Sequence, residues 1–279
     1  MIRIFSDIHY GDRASSLTSL AAITPLFEGA TQIVLNGDTL DTRPSRNPAA
    51  TLAAKDHVLD YFQRNAPPTS WLTGNHDPDI SDLHALELAE RSVYVTHGDI
   101  LFENIVPWGR DVEVLTKRIN AELGRLSSSD REILANRFAA VRCVCATIPQ
   151  RHQSERNAVK YAWGFIRDTA WPPLRILRVL QAWRETPARV ERLLERFRLP
   201  AKVFVMGHTH RLGITRTSAG VTIINSGSFC PPNGGGVVDI CSDHAVLRAI
   251  EKRGKEFRFG ATLAHIALAR SPDAETLNV

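Results

Sequence analysis

Short apolar runs alternate with helical patterns through the first hundred residues, and no other feature of the sequence restricts the fold as strongly. Ile2–Phe5, Gln32–Leu35 and Val93–Thr96 have the length and the branched or aromatic residues of buried strands. Helical stretches at Ser15–Phe27 and Leu52–Phe62 lie between them. Strands that alternate with helices form βαβ units, so we expect an α/β fold with helices outside a sheet.

The chain beyond residue 199 predicts strands that are connected differently. Four strand-like runs follow one another there: Lys202–Met206, Val221–Ile224, Gly236–Ile240 and Ala245–Ile250. Short turns bearing glycine or asparagine join them, which favours antiparallel hairpins. Two packed sheets with helices outside, an α/β or α+β sandwich, would accommodate both halves of the chain.

Residues 104–198 interrupt the strand pattern and predict a helical insertion. Leu174, Leu177 and Leu180 recur at three-residue steps, and Val190–Phe197 has a second helical pattern. We expect these apolar side chains to form the core of a helical subdomain, and a groove for a lipid is the alternative interpretation. The predicted domains are a core of residues 1–103 and 199–279 and an insertion of residues 104–198.

The insertion is basic, whereas the rest of the chain is acidic. It holds 18 lysines and arginines against 10 acidic residues, a net charge of +8, and the remainder has a net charge of −4. Four of the five tryptophans also lie in the insertion. A basic cover suits an anionic substrate. Nucleic acid is a less favoured partner, because no recognisable nucleic-acid-binding module accompanies the charge.

The composition excludes several classes of protein. With 43% hydrophobic and 23% charged residues, the chain can bury a core and is not a disordered polymer. It has no run of about 18 apolar residues, so we expect no transmembrane helix. Four cysteines are too few for a disulfide scaffold, and the N-terminus lacks the pattern of a secretory signal. We therefore expect a cytoplasmic protein.

Side chains of the types that bind metals follow the predicted strands in five places. They are aspartate, asparagine and histidine: Asp7, His9, Asp38, Asn75, His97, His208 and His210. Ligands of open α/β sheets bind beyond the carboxyl ends of strands, so we expect these side chains to share one site. Imidazole, carboxylate and amide donors suit Mn, Fe, Zn or Co. Seven donors are too many for one tetrahedral ion and fit two ions that share a carboxylate.

These blocks resemble, in order, the motifs of the calcineurin-like metallophosphoesterases. The matching segments are Asp7-Ile8-His9, Gly37-Asp38-Thr39-Leu40-Asp41, Gly74-Asn75-His76-Asp77, His97-Gly98-Asp99 and Gly207-His208-Thr209-His210. Any one of them has a simpler explanation, since Gly-Asp and Gly-Asn are common turn dipeptides. Five blocks in the same relation to their strands favour a metal centre. The resemblance implies a four-layer α/β/β/α sandwich, a binuclear metal centre and a hydrolase.

The resemblance also implies a role for each residue. Asp7, His9 and His210 would hold one ion, Asn75, His97 and His208 would hold the other, and Asp38 would bridge them. A hydroxide activated by the two ions would attack phosphorus, with Mn the first choice of metal and Fe, Zn or Co the alternatives. His76 would protonate the leaving oxygen, and Asp41 would orient His76. A turn or helix-capping carboxylate is the alternative role for Asp41.

The substrate is less well specified than the chemistry. An insertion after the His-Gly-Asp block is similar to that of the UDP-2,3-diacylglucosamine hydrolases, which cleave a pyrophosphate beneath a helical lid. His76 departs from that branch, which has arginine there, so a lipid-linked pyrophosphate is the alternative to a monoester or diester. We expect substrate contacts from Asn225 and Ser226, in a turn similar to the family's Asn-x-Gly-Ser, and from Arg175 and Arg178.

A binding scaffold on the same fold is the alternative from a non-enzymatic class. Such a scaffold is expected to have lost metal ligands, whereas all seven predicted ligands are present in this sequence. The sequence does not indicate how chains associate.

Overall fold

The strands of the protein build two mixed sheets in the computed structural model, which describes residues 1–151, 153, 155, 157–169, 171–232 and 234–268. The strands are β1 Ile2–Phe5, β2 Gln32–Asn36, β3 Thr69–Leu72, β4 Ala85–Leu88, β5 Val93–Thr96, β6 Val203–Met206, β7 Gly213–Arg216, β8 Thr222–Asn225, β9 Gly236–Ile240, β10 His244–Arg253 and β11 Glu256–Ala267. The first sheet has the order β11-β10-β9-β1-β2-β3, and the second has the order β4-β5-β6-β8-β7.

Each sheet contains three adjacent parallel strands, so strand ends from distant parts of the chain meet at one edge. β1 is parallel to β2, with Ile2 opposite Gln32, and β2 is parallel to β3. β6 is parallel to both β5 and β8. The antiparallel pairing predicted for the closing half is present in β9 and β10. It is wrong for β6 and β8, because β7 intervenes in the chain and pairs antiparallel with β8.

The helices cover the outer faces of the sheets and build the insertion. The 3₁₀ helices are Leu20–Phe27, Asp99–Leu101 and Asp130–Glu132, and the α-helices are α1 Pro48–Asn65, α2 Val112–Gly124, α3 Leu134–Cys145, α4 Ala158–Thr169 and α5 Leu174–Arg196. Leu20–Phe27 and α1 pack on the first sheet, whereas α5 packs on the second. The predicted four-layer α/β/β/α sandwich is therefore confirmed.

Three apolar cores hold the layers together. Val34 of the first sheet and Val205 of the second belong to the core between the sheets, and both are fully buried. Phe62 of α1 packs in the core outside the first sheet. Phe204 and Leu193 meet in the core between the second sheet and α5. The outer helix of this half therefore comes from the segment that we predicted to be an insertion.

Three strands have no counterpart in the sequence prediction: β4, β7 and β11. The β4 sequence, Ala-Leu-Glu-Leu, has a high intrinsic helix propensity and is extended only because Ala85 pairs with Thr96 of β5. β11 contains Gly260 and several polar residues, and its pairing with β10 makes it a strand. Long-range pairing decides these segments, and a local pattern does not contain that information.

The helical predictions need two corrections. The stretch predicted as a helix over Ser15–Phe27 is a 3₁₀ helix that begins at Leu20 and contains Pro25. The two helices predicted around Leu180 and over Val190–Phe197 are one helix, because α5 continues through Pro187.

The leucines at the start of α5 are exposed, so the predicted helical core is wrong for them. Leu174, Leu177 and Leu180 are 60%, 59% and 49% exposed, whereas Leu193 is buried. An α-helix has 3.6 residues per turn, so residues spaced three apart drift around the helix and do not stay on one face. The buried face of α5 includes Ala182 and not these leucines. None of the described helices, α5 included, is long and apolar enough to cross a membrane.

The insertion has a small core of its own and shares α5 with the sandwich. Leu115 and Ile119 of α2 pack against Val141 and Val144 of α3. We keep the division into residues 1–103 with 199–279 and residues 104–198 as a proposal, in which α5 belongs to both parts. Residues 269–279 of the proposed core lie outside the described residues.

We predict that Leu193→Ala lowers the free energy of unfolding by about 2–5 kcal/mol, because it opens a cavity between α5 and the second sheet. Leu177→Ala, in the same helix but exposed, should change it by less than about 0.5 kcal/mol. Urea denaturation followed by circular dichroism measures both. Equal, small effects would show that α5 is not a layer of the core.

Candidate metal centre

Five of the predicted metal ligands have a left-handed backbone. They are Asp7, His9, Asp38, His208 and His210, with φ between 49° at His9 and 61° at His208. Such φ values are uncommon outside glycine and cost free energy, so they persist only where the surrounding structure imposes them. The turns that follow β1, β2 and β6 thereby aim these side chains at one region.

Two glycines let these turns approach each other closely. A Cβ atom on Gly74 would clash with the carboxylate and the backbone nitrogen of Asp38. A Cβ atom on Gly207 would clash with Ser6 and with the carboxylate of Asp7. No larger residue fits at either position without moving a candidate ligand.

Asp7, His9 and His210 converge on one point. His210 Nε2 lies 3.1 Å from Asp7 Oδ1 and 3.4 Å from His9 Nε2, and His9 Nε2 lies 3.8 Å from Asp7 Oδ1. Three donor atoms so close together can share one metal ion. This is the set that the sequence assigned to the first ion.

Asp38, His97 and Asn75 form a second group beside the first. His97 Nε2 lies 3.3 Å from Asp38 Oδ2 and 3.3 Å from Asn75 Oδ1. The same Asp38 oxygen lies 3.9 Å from His9 Nε2 in the first group. Asp38 therefore faces both groups, as a carboxylate that bridges two ions must.

His208 lies next to these groups but has a different environment. Its Nε2 is 2.9 Å from the carbonyl oxygen of Ile105, and its backbone nitrogen donates to the Asp7 carboxylate at 3.0 Å. The rings of Trp108 and Phe102 pack against it. Nε2 is thus engaged, and Nδ1 is the nitrogen of His208 that remains available to a metal.

A backbone carbonyl also orients His97. Its Nδ1 lies 3.0 Å from the Asn36 carbonyl oxygen, so Nδ1 carries the proton and Nε2 faces Asp38. Metal-binding histidines usually donate their second ring nitrogen in this way.

The electrostatics of the site favour a bound cation. Burial alone would raise the pKa of Asp7, but His210 and His97 outweigh it and lower the pKa from 3.8 to about 2. Asp38 is held well below its usual pKa in the same way, by His97 and His76. Burial lowers the pKa of His9 and of His208 to about 4, so both rings are neutral and able to bind metal. The donor set therefore fits the divalent ions that the sequence implies.

His76 and Asp41 form a cluster with a residue that the sequence interpretation missed. His76 Nδ1 lies 2.9 Å from Asp41 Oδ2, as predicted for an orienting carboxylate. Arg43 donates to both oxygens of Asp41, and its Nη2 also lies 2.9 Å from His76 Nδ1. Because the Asp41 carboxylate can only accept, Nδ1 donates to it while Arg43 holds Asp41 in place, which leaves Nε2 of His76 for a substrate. An arginine two residues after an aspartate carries no sequence signal that separates it from a surface arginine.

Asp77 is a second residue to which the sequence interpretation gave no role. It is fully buried, and its carboxylate accepts hydrogen bonds from the backbone nitrogens of Asp38, Thr39 and Gly74 at 2.7–2.9 Å. It therefore ties the turn after β2 to the turn after β3. In the sequence, only its position directly after His76 could have indicated that Asp77 belongs to the site.

Hydrogen bonds and an ion pair join the insertion to the loops of the site. Arg142 of α3 forms a buried, two-pronged ion pair with Asp99 at 2.7 Å. Gln150 donates to the carbonyl oxygen of Asp41 at 2.8 Å, and Trp183 of α5 donates to that of Thr209 at 2.9 Å. The insertion is therefore part of the wall around the candidate ligands.

Three of the four predicted substrate-binding residues make hydrogen bonds within the protein. Asn225 donates to the carbonyl oxygen of Gly207 and to Thr209, and the Ser226 hydroxyl lies 3.4 Å from the Met206 carbonyl oxygen. Arg175 is buried and donates to the Arg167 carbonyl oxygen, whereas Arg178 is exposed on α5. These contacts position loops and helices, and substrate binding by the four residues stays a prediction.

Comparison with known proteins gives a family match and several similar solved structures. The profile of the calcineurin-like phosphoesterase family matches residues 1–212. No curated protein matches the chain. A dimetal phosphatase from Danio rerio is similar at 15% identity and a TM-score of 0.44, over 94% of this chain and 98% of that one. Vacuolar protein sorting 29 from Cryptosporidium parvum is similar at 11% identity and a TM-score of 0.44, over 96% and 97%.

We predict that metal binding to the metal-free protein at pH 8 releases a proton from His97. Burial opposes the charge, but Asp38 and Asp7 raise the pKa of His97 to about 10, so the ring is protonated at pH 8 and must lose a proton to bind metal. The affinity for metal should rise with pH up to about 10. Calorimetric titration with Mn²⁺ in two buffers of different ionisation enthalpy measures the release. Identical enthalpies in both buffers would contradict it.

Proposed function

The chain belongs to the calcineurin-like phosphoesterase family, and from that premise we propose that it hydrolyses a phosphoester with two divalent metal ions. The observation that supports this most directly is the pair of donor groups around Asp38, one with Asp7, His9 and His210 and one with His97 and Asn75. A second observation is the neutral state of His9 and His208 next to ionised Asp7 and Asp38.

Each residue of the site would have a distinct task. Asp7, His9 and His210 would hold one ion, Asn75, His97 and His208 the other, and Asp38 both. Two such ions would supply an activated water molecule and neutralise charge on the phosphoryl oxygens. His76 would give a proton from Nε2 to the leaving oxygen. Its Nδ1 would donate to Asp41, which Arg43 keeps in place. Mn²⁺ is our first choice of metal, and Fe, Zn and Co suit the same donors.

We predict that Asp38→Asn lowers the hydrolysis of p-nitrophenyl phosphate and bis-p-nitrophenyl phosphate in Mn²⁺ by at least about a hundredfold, because neither ion keeps its shared carboxylate. Asp56→Asn removes a carboxylate from the exposed side of α1 and is the matched control. Elemental analysis should find fewer than two metals per chain in Asp38→Asn alone. Unchanged turnover in that variant would reject the mechanism.

We predict that His76→Asn slows the hydrolysis of an alkyl phosphate more than that of p-nitrophenyl phosphate. An alkoxide is a poor leaving group and needs the proton, whereas p-nitrophenolate does not, and general acids contribute about 10²–10⁴-fold. Arg43→Gln should show the same dependence on the leaving group to a smaller degree, because it loosens His76. An equal loss for both substrates would mean that His76 does not donate a proton.

A lipid-linked pyrophosphate is the second candidate substrate, and the exposed apolar face of the insertion favours it. Trp163 and Trp171 are 71% and 64% exposed, and the leucines that begin α5 are exposed as well. We propose that these side chains lie together as one surface, because contiguous exposed apolar surface is typical of a binding site. A scaffold remains the non-enzymatic candidate, and it would require neither two metals per chain nor turnover.

We predict that, if the substrate is lipid-linked, Trp163→Ser combined with Leu177→Ser raises the KM for UDP-2,3-diacylglucosamine at least tenfold, because the acyl chains lose apolar contacts. Hydrolysis of p-nitrophenyl phosphate should not change. Leu52→Ser alters a leucine of α1 that is 61% exposed and serves as the control. No turnover of the UDP-linked lipid by the unaltered protein would eliminate this candidate.

A further inference from the structure

A cleft of about 1300 Å³ lies between α2, α3 and α5 and includes none of the candidate metal ligands. Its lining combines apolar and basic side chains. Ile100, Leu123 and Phe197 contribute apolar surface and are only half-buried, so this surface is accessible. Five arginines from the 3₁₀ helix Asp130–Glu132, α3 and α5 surround it: Arg131, Arg137, Arg189, Arg192 and Arg196.

Three of the arginines are neutralised or bonded within the protein. Arg196 pairs with Glu132 at 2.6 Å, and Arg189 pairs with Glu185 at 2.8 Å. Arg131 donates to the carbonyl oxygens of Leu126 and Gly124. Once Glu132 and Glu185 have paired two of the five arginines, the two acidic residues that line the cleft, Glu103 and Glu195, leave one positive charge without a balancing acid.

Arg137 of α3 and Arg192 of α5 are the two exceptions, because among the described residues neither has an ion pair or a side-chain hydrogen bond. Arg192 is exposed to water, whereas the side chain of Arg137 is half-buried. Burial and the nearby Arg196 lower the pKa of Arg137, although Glu132 and Glu103 act in the opposite direction. A half-buried guanidinium that has no ion pair is stabilised when an anion binds to it.

The size of the cleft indicates that the ligand has more than a charged group. Pockets for small molecules usually measure about 300–1,000 Å³, so this cleft has room for a body attached to the anion. Covering the half-buried apolar side chains with such a body lowers the free energy of the complex, because it removes apolar surface from water. Arginine forks match phosphate oxygens in geometry and charge.

We propose that the cleft between α2, α3 and α5 binds a phosphate monoester with an apolar alkyl body, with the phosphate on Arg137 and the body over Leu123 and Phe197. This site goes beyond the proposed function, because it needs neither metal ions nor hydrolysis. It gives the basic insertion a binding surface of its own.

Calorimetric titration with octyl phosphate tests the proposal, in the presence of a chelator that keeps metal from the protein so that no alkyl phosphate is hydrolysed, and with inorganic phosphate and octanol as separate probes. We expect one octyl phosphate to bind per chain. Inorganic phosphate and octanol, each of which has only one part of octyl phosphate, should bind at least tenfold more weakly. Arg137→Gln should weaken octyl phosphate about tenfold or more. Leu123→Ser should weaken octyl phosphate and leave inorganic phosphate unchanged.

Arg118→Gln is the matched control, because it removes the same charge from α2 at a residue that contacts Thr147 and does not line the cleft. It should bind octyl phosphate as the unaltered protein does. Equal weakening by both arginine variants would overturn the proposal in favour of a general effect of charge. Binding that neither Arg137→Gln nor Leu123→Ser alters would place the ligand outside the cleft and overturn the proposal, while the proposed hydrolysis would still stand.

Discussion

The rest of the structure must offset the burial of two ionised carboxylates, Asp7 and Asp38. Both are almost inaccessible to solvent, and removing an ionised carboxylate from water costs several kcal/mol unless charge or hydrogen bonds offset it. Backbone nitrogens of His208 and His76 donate to them, and histidines surround them. Cations between the two carboxylates would compensate their negative charge most completely.

The sandwich brings the residues that surround the two carboxylates together. Parallel strands in each sheet bring turns from residues 7 to 210 to one edge. The left-handed backbone at five ligands aims their side chains inward. The insertion is bonded to the same turns through Arg142, Gln150 and Trp183. A substrate that is held by the insertion would therefore be held against the loops that carry the metal ligands.

Much of the site could be predicted from the sequence, because its ligands follow strands whose parallel ends must meet. Asp7, His9 and His210 lie together in the structure, and so do Asp38, Asn75 and His97. The supporting residues were harder to find. Arg43 acquires its role only when the turn after β2 meets His76, and Asp77 only when its carboxylate reaches the backbone of the neighbouring turn.

The fold shows the same limit. The central strands have continuous apolar runs and were predicted, whereas β4 is a strand because of its partner and not because of its composition. The leucine pattern of α5 predicted a buried stripe, but the helix packs through the face that carries Ala182, Val190 and Leu193. Which side of a helix is buried depends on its neighbours, and the periodicity of the insertion does not identify them.

Electron paramagnetic resonance of the protein loaded with two equivalents of Mn²⁺ tests the central claim, a pair of ions joined through Asp38, most directly. Ions about 3.5–4 Å apart with a shared carboxylate should give a multiline spectrum of coupled Mn²⁺, and Asp38→Asn should abolish it. A six-line spectrum of isolated Mn²⁺ in the unaltered protein would contradict the account.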